Sequence, residues 1–444
     1  MIKKIILISI VASQFMISCT KEESSSNSSN DSLNTEIAAI IKLPYSALTP
    51  DQQKVKLEAE SNEMLVQMNK SKSSGAIEAM QNLGNLLSIN SVDIFDGKND
   101  NQIADILNVS GVYGIYTWSN SKQFWVKSAS TTELKFIFPS KKNLTTNNAS
   151  LSSKSTSSNI KVKLEDTFGS WVYNPITGDY TQSPSIDDEF YLPTSIDAIL
   201  TIDNAQAATI SANSSYSNGI KAPDSSSFKI VLNDGYVWEI SGKKATENVA
   251  KSSFTYNGNN LLEFTAGSTA NINGLLEEDN IEYQGKANGL IKILDNFIIV
   301  AEMDLTNLAK DEETLNNLLV YPDYNTSNYY ADLNTFNKKE SEGEVATYNK
   351  NIKLVLVSKK DGTKIADLVQ RSEKGYSYTT YYTTWNGNYW AYNPSNPKTI
   401  QNYENSLYLR FNDNTEVEIS AYFSTGFDDL VTKFEDFLKA FDRY

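Results

Sequence analysis

From about residue 109 onward, apolar side chains recur at every second position, in short segments divided by turn residues. A period of two marks a strand with one face on a core. "GVYGIYTW", "KQFWVK" and "ELKFIF" open the series, and Pro139 ends the third segment. Further strands are expected near 160–174, 190–202, 206–216, 227–241, 251–266, 281–294 and 297–304. No helical segment alternates with them, so the pattern gives an antiparallel meander rather than a parallel sheet. The polar run 140–158, "SKKNLTTNNASLSSKSTSS", reads as a low-complexity loop.

One hairpin can be worked out to its register. In "FKIVLNDGYVWEI" a three-residue loop, Asn233-Asp234-Gly235, puts Gly235 at the left-handed position of a bulged turn. Leu232 then faces Tyr236, Ile230 faces Trp238 and Phe228 faces Ile240, while Lys229 opposes Glu239 on the other side. A two-residue loop would set Glu239 beside Ile230 in the apolar row, so it is rejected. "NSLYLRFNDNTEVEIS", from residue 405, matches "SSFKIVLNDGYVWEIS", from residue 226, at six of sixteen positions. Asn414 stands for Gly235, and the same register aligns Leu407, Leu409 and Phe411 with Ile419, Val417 and Thr415. A duplicated unit and two independent hairpins with similar turns both explain the match.

Helices flank the strands. Thr49-Pro50-Asp51-Gln52 combines an N-cap threonine, a proline at the first helical position and a glutamine that completes a capping box. Leu57, Met64, Leu65 and Met68 follow at helical spacing, and beyond "SKSSG" come Ile77, Met80, Leu83, Gly84 and Leu87. These form an αα-hairpin that needs a partner surface. Leu305, Leu308, Ala309, Leu315 and Leu319 mark a helix at about 305–320, and Phe427 to Phe441 carry an apolar stripe for a helix at about 427–442. The second is read as docked on a sheet, or as a lid over a greasy cavity. The expected fold is therefore mainly β with α. It has antiparallel meander or half-barrel-like sheets, an N-terminal helical hairpin and these two amphipathic helices.

The N-terminus reads as an address. Lys3 and Lys4 precede an apolar run at residues 5–17, which as a helix rises roughly 20 Å against a bilayer core near 30 Å. It suits a secretory signal better than a membrane span. The run ends in Met16-Ile17-Ser18-Cys19, which holds the chain's single cysteine. This tetrapeptide resembles the lipobox of bacterial lipoproteins, in which the cysteine is lipidated and becomes the first residue. Ser18 fits that pattern, while Met16 and Ile17 depart from its preferred residues. The resemblance covers about the first twenty residues and implies lipidation at Cys19 and anchorage to a membrane. Lys21-Glu22-Glu23 resembles the acidic export tag of surface-exposed lipoproteins, which implies the outer membrane and its outer face, or otherwise the periplasmic face. Residues 24–34, rich in serine and asparagine, would hold the body roughly 20 Å from the lipid. The chain then divides into a signal peptide (1–18), a lipidated disordered tether (19–34), a helical hairpin (35–90) and an antiparallel β region (91–303). A helix, a second β region and the C-terminal helix fill 304–444.

Composition closes several routes. Loss of Lys3 and Lys4 moves the formal charge from −15 to −17, which disfavours nucleic acid as a partner. There is no histidine and no cysteine besides Cys19, so imidazole-based triads, thiolate chemistry and iron–sulfur ligation have no residues to use. No motif calls for a cofactor or metal. "FDGKNDNQ", with Asp96, Asn99, Asp100 and Asn101, fails calcium-loop spacing because Lys98 sits at the third position. Asp187, Asp188 and Glu189, and Glu277, Glu278, Asp279 and Glu282, read as solvated loop charge or as glycosidase carboxylates.

The most suggestive stretch is "GYSYTTYYTTWNGNYWAY", residues 375–392. Pairing across Asn386-Gly387 puts Tyr381, Trp385, Trp390 and Tyr392 on one face and Tyr378, Tyr382 and Tyr389 on the other. Aromatics on both faces fit a hairpin covered on both sides, or an exposed platform that stacks sugars or grips a protein. The leading expectation is a non-catalytic binding or structural lipoprotein. The rivals are a carrier of an apolar ligand, similar in fold class to the half-open barrels of periplasmic lipoprotein carriers, and a carboxylate-dependent glycoside-active enzyme.

Overall fold

The computed structural model describes residues 29–423, apart from 72, 91, 93, 95–102, 108, 167–170, 183–185, 218, 220, 278–279 and 295. The signal segment with Cys19, the 96–101 stretch and the helix expected at 427–442 lie outside these residues.

Helices come first: α1 (Ser29–Ile41), α2 (Pro50–Ser71), α3 (Gly75–Ile89) and the single turn α4 (Ile103–Ile106). A run of strands follows, from β1 (Gly114–Ser119), β2 (Phe124–Ser128), β3 (Leu134–Phe138) and β4 (Ala149–Asp166) to the small β5 (Trp171–Tyr173) and β6 (Tyr180–Gln182). It continues through β7 (Ile186–Ile202), β8 (Ala205–Ser215), β9 (Ser225–Leu232), β10 (Tyr236–Lys243), β11 (Asn248–Tyr256) and β12 (Asn259–Ser268). The short helix α5 (Ile272–Glu277) precedes β13 (Lys286–Ile293) and β14 (Phe297–Asp304), and then come the helices α6 (Leu305–Leu318) and α7 (Tyr329–Asn351). The rest is β15 (Ile352–Ser358), β16 (Thr363–Thr380), β17 (Tyr382–Trp385), β18 (Trp390–Tyr392), β19 (Lys398–Arg410), β20 (Glu416–Glu418) and the turn α8 (Ile419–Tyr422).

Sixteen strands form one open sheet in the order β2-β1-β3-β4-β7-β8-β9-β10-β11-β12-β13-β14-β15-β16-β19-β20. The protein is mainly β, the sheet is antiparallel almost throughout, and it does not close into a barrel. The exception is β1, which runs parallel to β3, with Tyr116 opposite Phe136. The helical insertion 305–351 does not interrupt the sheet, because β14 pairs directly with β15.

Local signals hold where they were sharp. Trp238 pairs with Ile230 and Ile240 with Phe228, and Gly235 has φ +96°. A Cβ there would lie 2.0 Å from Asn257 Oδ1, so a larger residue would have to hold a positive φ and displace that side chain. Lys229 forms an ion pair with Glu239 across the strands. In the second hairpin Leu409 pairs with Val417, and Asn414 takes φ +63°. The capping box at α2 is formed too: Gln52 N–H donates to Thr49 Oγ1 (3.3 Å) and Thr49 N–H to Gln52 Oε1 (3.0 Å).

Helix α7 has no counterpart in the sequence expectation, and two further segments differ from it. The run 140–158 is not all loop, because β4 begins at Ala149 and pairs with β3 and β7. Serine and threonine suit a pleated surface, and Ala149, Leu151 and Ser153 turn inward at every second position. Helix α1 starts at Ser29, inside the stretch expected as tether, because Leu33, Ile37 and Ile40 give it an apolar row to bury.

Helices cover both faces of the sheet. Leu33, Ile37 and Ile40 of α1 pack on Leu290, Ile298, Val300, Val355 and Val357. On the opposite face Leu57 of α2 meets Phe297, Leu354, Leu356 and Leu368, and α3 fills the neighbouring part with Ile77, Met80, Leu83 and Leu87. Strand β15 is thus sandwiched, which is why it reads "LVLV" rather than alternating. Among the described residues no helix is long and apolar enough to cross a membrane.

Gln53 of α2 is fully buried, and neither atom of its carboxamide has a hydrogen-bond partner. An unpaired buried amide costs on the order of 1–3 kcal/mol. Gln53→Met, close in shape, should therefore raise the unfolding free energy by about 1 kcal/mol. A higher urea midpoint would register it.

Candidate binding platform

The platform is built where β16 and β19 run on beyond β15 as a two-stranded ribbon, pairing as far as Thr380 with Lys398. Helix α7 lies along this ribbon and is held mainly by polar contacts. Asn334 accepts from Gln401 N–H (2.8 Å) and donates to Thr399 O (2.9 Å), and Asn337 donates to Gln401 O (3.0 Å). Asn349 does the same for β16, accepting from Gln370 N–H (2.8 Å) and donating to Gln370 O (3.0 Å). These carboxamides take the place of missing neighbour strands and leave less open edge for another chain to pair with. Ser341 bonds Ser372 and Asn405 between them.

The ribbon carries the small hairpin β17–β18 between its strands. Asn386 Oδ1 accepts from the N–H groups of Asn388 (3.0 Å) and Tyr389 (2.9 Å), and Asn386 N–H donates to Tyr389 O (3.2 Å). The loop is therefore 386–389, four residues rather than two. Trp385 pairs with Trp390, a bulge follows at Thr383, and Tyr382 rather than Tyr381 faces Tyr392.

This register sorts the aromatic residues by role. Trp390, only 7% exposed, packs with Tyr330, Leu333 and Ile400. Its ring meets Tyr330 edge-on at 4.8 Å, and its indole N–H donates to Tyr324 O at 2.9 Å. Trp385 leans on it with ring centres 5.7 Å apart. Tyr381 and Tyr392 stand at the surface with centroids 6.3 Å apart, and Tyr382 is a further 6.3 Å neighbour of Tyr392. Of the four residues singled out in the sequence, the tryptophans form the footing and the tyrosines the exposed surface. Tyr376 and Tyr378 stack at 6.3 Å on β16, both exposed.

Sequence reasoning did not include Tyr321, Tyr324, Tyr329 and Tyr330. They continue the array from the start of α7, with Tyr324–Tyr329 at 4.9 Å and Tyr329–Tyr330 at 5.1 Å. The clue was four tyrosines within "YPDYNTSNYY". The hydroxyls of Tyr329 and Tyr321 share a hydrogen bond that moves the Tyr329 phenol upward, and burial does the same for Tyr330. Both stay neutral at physiological pH, and residues 375–397 contain no charged side chain.

Among the described residues, the acidic candidates lie on other elements than the platform. Glu282 forms an ion pair with Lys310 (2.6 Å). Asp187, Asp188 and Glu189 lie on β7 opposite Glu165, Leu164 and Lys163. Glu278, Asp279 and the 96–101 stretch lie outside the described residues. Among those residues no three Asp, Glu, His or Cys side chains gather as a metal site. Compared with family models, with curated proteins and with solved structures, the chain matches none.

Proposed function

We propose that the protein is a lipid-anchored lipoprotein of a bacterial outer membrane, facing outward, whose work is non-catalytic binding. The aromatic platform of residues 376–392 is its contact surface. The observation that carries this reading is the division within the platform: buried Trp390 fixes the hairpin, while Tyr376, Tyr378, Tyr381, Tyr382, Tyr389 and Tyr392 remain exposed on it. Exposed apolar rings with polar tips, held on a rigid footing, lose little entropy on contact and suit recognition.

Two measurements test the reading. Labelled palmitate should appear on the wild-type chain and not on Cys19→Ala, which should leave the membrane fraction altogether. Retention of Cys19→Ala with membranes would refute the anchor. For the platform, Tyr381→Ala with Tyr392→Ala should weaken the binding of a neutral oligosaccharide at this site at least tenfold, since truncating a central aromatic commonly costs about 2 kcal/mol. With no carboxylate or amine in residues 375–397, that binding should be flat between about pH 5 and pH 9. A titration within that window would contradict it.

A further inference from the structure

We propose that the β5–β6 hairpin is a second copy of the aromatic site, and that the protein grips one neutral, hydroxyl-rich glycan chain at two points. The ligand class rests on the platform reading above; the second site rests on a separate observation, an internal repeat.

The sequence Trp171-Val172-Tyr173-Asn174-Pro175 returns as Trp390-Ala391-Tyr392-Asn393-Pro394, 219 residues later. At almost the same distance, 218 residues, "ELKFIFPSKK" from residue 133 returns as "NIKLVLVSKK" from residue 351, with the Lys, Ser and paired Lys positions identical. The two matches keep their order and spacing, as a tandem duplication requires. The order of the flanking strands repeats with them, although the motif lies on the first strand of its hairpin, β5, in one copy and on the second, β18, in the other. Strands β3, β4, β7 and β8 are successive antiparallel neighbours, with β5–β6 set between β4 and β7 in the chain. Strands β15, β16, β19 and β20 are the same, with β17–β18 set between β16 and β19. The outgoing strands β4 and β16 are both 18 residues long.

The local conformation repeats as well. Asn174 Oδ1 accepts from Ile176 N–H at 3.0 Å, and Asn393 Oδ1 accepts from Ser395 N–H at 3.0 Å. Both are the turn that an Asn-Pro pair favours. Beside it, Tyr173 (52% exposed) and Tyr180 (65% exposed) pair across the strands with ring centres 5.2 Å apart. In the C-terminal copy the exposed partners of Tyr392 come from before the repeat motif, in this copy from after it. Each tip ends with an exposed tyrosine pair.

Charge identifies the ligand. The chain as a whole carries −15, yet residues 375–397 hold no charged side chain and residues 171–182 hold one, Asp179. An anionic chain would be repelled by the rest of the protein, and within the two sites a cationic one meets a single carboxylate, Asp179, in one and none in the other. Neutral sugar rings offer C–H faces to the phenyl rings, and hydroxyls to the phenol and amide groups. Two like sites engage a polymer far more tightly than either does alone.

The test uses the full-length protein in detergent, titrated calorimetrically with cello-, malto-, manno- and xylohexaose and assayed on the matching polymers. One of these should bind at two hexasaccharides per chain. Tyr173→Ala with Tyr180→Ala should leave one site of unchanged affinity and weaken polymer binding at least tenfold, and Tyr381→Ala with Tyr392→Ala should do the same. These side chains are exposed, so an unchanged melting temperature confirms that each variant is folded. One hexasaccharide per wild-type chain, with polymer binding indifferent to the Tyr173/Tyr180 change, overturns the second site and leaves the first platform standing. Absence of binding to every probe overturns both.

Discussion

Trp390→Ala should cost about 3–5 kcal/mol and abolish whatever the platform binds. The indole is the member of the tip hairpin that is itself buried in the cluster of Tyr330, Leu333 and Ile400, with Trp385 packed against it. Removing it opens a cavity beneath Tyr330 and takes away the N–H that holds Tyr324 O at 2.9 Å. The hairpin β17–β18 then keeps its 386–389 loop, three paired positions and the hydrogen bonds between Thr383, Thr384 and Asn393, and an isolated two-stranded hairpin is marginal in water. The loss should therefore be local. Amide exchange in β17 and β18 should rise to near the unprotected rate, while β13–β15 stay protected. Trp390→Phe, which keeps a ring without the N–H, should fall between. If exchange at Thr384 and Ala391 is unchanged in Trp390→Ala, the footing role assigned to the indole is wrong.

The comparable change at the other end of the sheet is Phe136→Ala, again about 3–5 kcal/mol. Phe136 has no exposed surface and sits between Tyr116, stacked at 5.1 Å, and Trp125, edge-on at 5.4 Å. It also faces Leu151, likewise fully buried, across the β3–β4 pair. Strand β3 joins the last two strands, β1 and β2, to the rest of the sheet, and the β1–β3 pairing is parallel over only four positions. The aromatic stack, more than the ladder, keeps those strands in place. Equilibrium unfolding in urea should show a lower midpoint, with altered fluorescence from Trp118 and Trp125, whose rings lie 5.2 Å apart. Phe136→Leu, which keeps most of the volume, should cost less than about 1.5 kcal/mol. Equal losses for the two variants would mean that the volume leucine retains counts for nothing and that the ring contacts with Tyr116 and Trp125 carry the whole effect.

How much of this was legible in the chain follows from the range over which each feature is decided. The hairpin of β9 and β10 needs Gly235 at positive φ and an apolar row on one face, both settled within thirteen residues. The capping box of Thr49 and Gln52 is settled within four. Such features are properties of the sequence by itself, because the alternatives clash or strand a charge locally. The candidate tyrosines were legible for the same reason, as an uncharged aromatic run.

The remaining features depend on residues far apart. Helix α7 carries no apolar stripe to reveal it, because asparagine and serine side chains bind it to strand edges some 20 to 65 positions away. Strand β4 looks like a loop until β3 and β7 flank it, since serine takes either conformation and its neighbours choose. Whether Trp390 is surface or footing depends on Tyr330 and on the carbonyl of Tyr324, 60 and 66 positions upstream. Turn geometry and period are short-range and written in the chain; which surface covers which is decided only when distant segments compete for the same water-excluding contact.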